Sequence, residues 1–70
     1  MTTVVKQLHA FIDRNGLTQG AAACVMHTGI RTMRRWLAGD TVPPGSVDLL
    51  LKLFADYPAL EKECVRKYAA

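Results

Sequence analysis

Apolar residues recur at helical spacing along almost the whole chain. Val4, Leu8, Phe11 and Ile12 share one face, with Thr2 or Thr3 available as N-cap and Asn15-Gly16 as a left-handed stop. A first helix is therefore expected from about Thr3 to Arg14. Thr18 suits the N-cap of a short second helix, Gln19 to Met26, whose alanines permit close approach of a neighbour. His27-Thr28-Gly29 reads as a turn. Either Thr28 or Gly29 can cap a third helix that ends at Ala38-Gly39. Pro43-Pro44 enforces an extended connection, and Ser46 is expected to cap a fourth helix carrying Val47, Leu50, Leu51 and Phe54. With Leu49 and Leu53 beside them, this apolar set is wider than one core-facing stripe needs. Tyr57-Pro58 breaks the pattern, Pro58 fits a first helical turn, and Leu60, Cys64 and Tyr68 follow at intervals of four. The other side of this fifth helix is charged: Glu61, Lys62, Glu63, Arg66 and Lys67. Nothing in the pattern reads as a strand, a repeat or a linker. The expected fold is all-α, five short helices in one domain over residues 1–70.

The third helix is the unusual one. Placed at about 100° per residue, Arg31, Arg34 and Arg35 fall on one face, with Ile30, Met33, Trp36 and Leu37 largely opposite. Three guanidiniums within about one turn repel one another, and a helix gains nothing from them unless an anion lies alongside. The simplest anion that fits along a helix is nucleic acid. Trp36, opposite the arginines, is expected to anchor the core rather than stack on a base.

Composition sharpens this. Half of the 70 residues are apolar and 21% are charged, which marks a folded chain, not a disordered one. The net charge of +3 is unevenly spread: Met1 to Ala38 holds five basic residues against Asp13, whereas Gly39 to Ala70 holds four basic against five acidic. The positive field thus lies in the first half, in front of a nearly neutral half suited to packing or pairing.

Other chemistry finds less support. Cys24 and Cys64 sit at apolar helical positions and read as reduced, buried side chains of a cytoplasmic protein. Cys24 and His27 have C-x-x-H spacing, with Cys64 and His9 as conceivable further ligands, but paired short-spaced ligands at both ends are missing and no metal is expected. His27 is expected to shape the turn or donate to a phosphate. Asp40, Asp48 and Asp56 recur every eight residues without an acid–base partner, so no enzyme, cofactor or small-molecule ligand is expected. No apolar run approaches the ~20 residues that cross a bilayer, and no export signal is seen at the N-terminus.

Two helices joined by a tight turn, the second presenting basic residues, describe a helix-turn-helix over about 18–38. Gln19, Ala23, Met33 and Trp36, followed by Leu37-Ala38-Gly39, resemble the pattern of the lambda-repressor/Cro-like (XRE) regulators. There a Gln opens the first helix, an Ala sits at the helix crossing, and an apolar residue and an aromatic anchor the recognition helix. The Met-Arg-Arg-Trp-Leu segment, the Pro-Pro loop and the leucine-rich helix after it are also similar to a phage-associated branch, the anti-CRISPR-associated autorepressors, and to the DNA-binding domain of MqsA-type antitoxins. The family usually has Gly and then an apolar residue in the turn, where this chain has His27 and Thr28. Using Gly29-Ile30 as that pair instead would put Arg35 at a buried position and move Trp36 off its anchor. On the first register, the resemblance implies that Gly29, Ile30, Arg31, Arg34 and Arg35 face bases while Gln19 and Thr28 hold phosphates, Arg35 being equally suited to the backbone. The chemistry agrees, since Arg donates two hydrogen bonds to guanine O6 and N7 in the major groove.

The resemblance implies a transcriptional repressor of double-stranded DNA, binding an inverted repeat as a homodimer and controlled through its own concentration. The helices over about 46–70 would pack or pair, with Leu49, Leu53, Leu60 and Tyr68 as interface candidates. The rival reading is an antitoxin-like module whose leucine-rich half grips a partner protein.

Overall fold

The computed structural model describes residues 3–69. They form α1 (Thr3–Asn15), α2 (Gln19–Val25), α3 (Ile30–Ala38), α4 (Gly45–Asp56) and α5 (Pro58–Tyr68), with no strand among the described residues. α2 packs against both α3 and α5. Its buried residues are Ala21, Ala22, Ala23 and Val25. Side chains this small let neighbouring helices approach closely, because interaxial distance follows the side chains at the contact. α1 packs on α3 and α4, and α4 on α5.

The core joins Leu8 and Phe11 of α1, Met33 and Trp36 of α3, and Val47, Leu51 and Phe54 of α4 around that alanine surface. Phe11 and Phe54 stack with ring centroids 5.5 Å apart. Such aromatic pairs add roughly 0.5–1.5 kcal/mol beyond the area they bury. No helix among the described residues is long and apolar enough to cross a membrane.

Three turns close in the same way. Gly16 (φ +62°), His27 (φ +55°) and Gly39 (φ +81°) each take the left-handed conformation at a helix C-terminus. In each case the next residue's N–H reaches back five positions: Leu17 to the Ile12 carbonyl at 3.1 Å, Thr28 to Ala23 at 2.9 Å, and Asp40 to Arg35 at 3.0 Å. This is the Schellman closure, which satisfies carbonyls that a helix end leaves without partners. Glycine takes such a φ freely. His27 pays a steric penalty there, in line with its kind being enriched among the few non-glycine residues that do.

Several expectations shift by a residue or more. α1 is rolled so that Val5, Leu8 and Phe11 are buried while Val4 and Ile12 flank them. Thr3 is already helical, and Thr2 lies outside the described residues. Thr18 caps α2 as expected, its hydroxyl accepting the Ala21 N–H at 3.0 Å. Ser46 does not cap α4. Pro44, with its ring-fixed φ of −66°, is the last extended residue, and Ser46 falls in the first turn. Cys24 is exposed and Cys64 only half-buried, because α2 turns its alanines inward and leaves the thiol outside.

The largest correction concerns α5. Glu61 is not on an outer charged side but is only 7% exposed, while Leu60 and Tyr68 are exposed. Residues 61, 64 and 65 have one-face spacing and turn toward the core, where Cys64 and Val65 are half-buried. The Glu61 carboxylate is satisfied across the domain. Arg14 at the end of α1 grips it with Nε (3.0 Å to Oε2) and with a terminal nitrogen, and Asn15 Nδ2 donates to it at 3.2 Å. These donors stabilise the charged form, so the Arg14 hydrogen bonds hold the Glu61 carboxyl below its ordinary range despite its burial.

The sign of the pH dependence follows. A carboxyl depressed in the folded state contributes stability that is fully present above its unfolded pKa of about 4.3 and is lost as pH falls through the folded value. Thermal melts should therefore be flat in this contribution near neutrality and decline below about pH 4. Arg14→Ala should lower stability at pH 7 by about 1–3 kcal/mol, leaving a buried acceptor short of donors, and should flatten the acid decline. An acid decline as steep in Arg14→Ala as in the parent would assign it to other carboxylates.

Candidate nucleic-acid interface

The rotation of α3 is set from beneath. Met33 is fully enclosed and Trp36 is 6% exposed, with Leu37 half-buried beside them. With these residues inward, Arg31, Arg34, Arg35 and Ala38 must face out. Together with Asp40 they line an open cleft of about 520 Å³. Trp36 is buried and Arg35 exposed, and His27 takes the left-handed position of the turn that precedes α3.

Both ends of α3 are held by other helices. At the C-terminus His9 of α1 lies with Nε2 3.0 Å from the Leu37 carbonyl. A carbonyl only accepts, so Nε2 carries the proton. At the N-terminus the N-cap is Gly29, not Thr28, and no side chain caps the helix. The turn before it is buttressed by the His27 ring, which meets the Tyr68 ring of α5 edge-on at 5.3 Å. His27 therefore shapes the turn.

Between the ends, Arg34 Nε donates to Gln19 Oε1 at 3.0 Å, joining the first residue of α2 to the outer face of α3. That bond uses one donor of Arg34 and the amide oxygen of Gln19 as acceptor: the terminal nitrogens of Arg34 and the amide nitrogen of Gln19 remain as donors. The three ion pairs among the described residues are Arg14–Glu61, Asp48–Lys52 and Glu63–Arg66. Arg31, Arg34 and Arg35 belong to none of them. Arg31 and Arg35 are four apart, a like-charge spacing that disfavours a helix by about 0.2–0.5 kcal/mol.

The structure thus gathers Arg31, Arg34 and Arg35 on one surface and brings Gln19 to its edge. Thr28 sits half-buried in the turn, its N–H used in the closure to Ala23. Ile30 departs from the apolar face on which its wheel angle places it and is 42% exposed. As the first residue of α3 it lies one turn short of where the core begins. Two participants were not anticipated: Asp40 in the cleft and His9 beneath it. Asp40 follows Gly39 directly, so its place at the end of the arginine face follows from the helix stop. His9 gives no local signal, because its partner is 28 positions away. Among the described residues no three His, Cys, Asp or Glu side chains gather in a way that could hold a metal. Compared with known protein families, curated proteins and solved structures, the chain matches none.

The two faces of α3 should respond oppositely to truncation. Trp36→Ala is expected to lower stability by about 3–5 kcal/mol through the cavity it leaves. Arg35→Ala, a surface change relieving like-charge repulsion, should stay within about 0.5 kcal/mol of the parent. Urea unfolding followed by circular dichroism measures both, and a Trp36→Ala chain with parental stability would mean that α3 faces the other way.

Proposed function

We propose that the protein is a sequence-specific regulator of double-stranded DNA, with α2 and α3 acting as a helix-turn-helix of lambda-repressor-like type and α3 entering the major groove. The observation that carries this reading is the arginine face itself: three guanidiniums with no carboxylate partner, one of them oriented by Gln19, on a helix clamped at both ends. Orienting a side chain before binding reduces the entropy lost on contact. Arg34 and Arg31 are assigned to guanine edges, Gly29 and Ile30 to base edges beside them, Arg35 to a base or the backbone, and Gln19 and Thr28 to phosphates at the groove's rim.

The regulator acts as a homodimer on an inverted repeat, repressing by occupying its promoter, and its own concentration sets its occupancy. Two recognition helices one DNA turn apart supply affinity that a single one lacks. The exposed apolar residues Leu49 on α4, Tyr57 between the two helices and Leu60 at the start of α5 support pairing. Leu53 between them is only half-buried, and Tyr68 is committed to the His27 contact. The autorepressor role and a phage or mobile-element setting follow from the resemblance alone. The same apolar residues favour a second reading, an antitoxin-like module gripping a partner protein.

Selection of a random duplex library on the purified chain, followed by titration against salt, separates the two. The regulator should enrich a two-fold symmetric, guanine-containing site bound by two chains. Its affinity should fall by orders of magnitude between low and moderate salt as counterions are released, whereas a hydrophobic partnership would hardly change. Arg34→Ala should remove about 1–3 kcal/mol of discrimination at one base pair while sparing nonspecific binding. Equal losses on all sequences would make Arg34 a phosphate contact, and no enriched site at any salt would overturn the DNA reading.

A further inference from the structure

Ile30 is an apolar side chain at the leading end of a cationic face, 42% exposed, where a polar residue would be the ordinary occupant. It follows directly on the Gly29 N-cap, which no side chain caps with a hydrogen bond. Its far end is also placed. Ile30 Cδ1 lies 3.7 Å from the point where a Cβ would stand on Gly20 of α2, so the side chain rests along the bare backbone of α2. A β-branched residue has little χ1 freedom to begin with. The result is a fixed apolar knob.

Ile30 and Arg34 are four residues apart and therefore neighbours on one face, about 6 Å apart along the helix axis. That is roughly two base steps of duplex at about 3.4 Å each. In the major groove one base edge presents an apolar group, the C5-methyl of thymine. Resting on the proposed DNA-binding reading, we infer that Ile30 packs on a thymine methyl within about two base steps of the guanine held by Arg34. The knob then adds selectivity that the arginines cannot, since guanidiniums do not distinguish thymine from a base lacking the methyl.

The test is a uracil scan of the selected duplex. Replacing thymines by uracil one position at a time removes only the methyl and leaves pairing intact, and fluorescence anisotropy measures affinity for the parent chain and for Ile30→Ala. One thymine in each half-site should be sensitive, with uracil weakening the parent about fourfold, the worth of one buried methyl. At that position Ile30→Ala should bind thymine and uracil duplexes alike. A parent chain indifferent to uracil everywhere overturns the assignment without any variant, and an Ile30→Ala chain that keeps the full penalty overturns it too, since another residue then reads the methyl. A parent chain that selects no duplex at all overturns the DNA-binding reading, and this assignment with it.

Discussion

The close approach of α3 to the alanine surface of α2 is the constraint on which the rest of the structure depends. α2 has seven residues, too short to be stable alone, so its helicity comes from what packs on it. Ala22 and Ala23 offer almost no relief of their own, and the larger Met33 and Trp36 of α3 share a core with them together with Leu8, Phe11 and Phe54. Anchoring α3 through residues three apart fixes its rotation as well as its position. Every property of its outer face follows from that.

Polar contacts then limit the remaining freedom. His9 holds the Leu37 carbonyl, Gln19 holds Arg34, and Arg14 with Asn15 ties the end of α1 to Glu61 of α5. Single hydrogen bonds of this kind contribute only about 0.5–1.5 kcal/mol net. Their larger effect is on direction, because each joins elements that the apolar core alone would allow to slide. The Glu61 clasp differs from the others in that its carboxylate is nearly enclosed while Arg14 stays exposed: with its donors it joins α1 to α5, and without them it is a buried charge.

Local signals account for what was legible in the sequence. Thr18, Gly16, Gly39 and Pro58 mark helix ends through chemistry that acts within a few residues, and α2 to α5 begin or end close to them. The inward turn of Met33 and Trp36, and hence the outward arginines, follows from period alone. What escaped was long-range. Glu61 belongs to a one-face series with Cys64 and Val65, yet a carboxylate at its head reads as solvent-facing until Arg14, 47 positions earlier, is brought beside it. Ile30 carries the wheel angle of a core residue, but at the first position of its helix it reaches only the edge of the packed layer, beside Gly20. Cys24 failed for a related reason: on a helix this small in cross-section, the buried arc is filled by alanines.

The arginine face works against the fold that presents it. Three cations within five residues raise the free energy of α3, and a domain of 70 residues has a small core from which to offset it. Neutralising any of the three would relax that repulsion. The three form no ion pair among the described residues, and an anion alongside would supply the missing charge. A polyanion that bound the folded chain and not the unfolded one would stabilise the fold by mass action, and the repulsion carried by the free domain would become part of that attraction. The contacts at both ends of α3, His9 on the Leu37 carbonyl and His27 against Tyr68, hold this self-repelling helix in place without any counter-charge of their own.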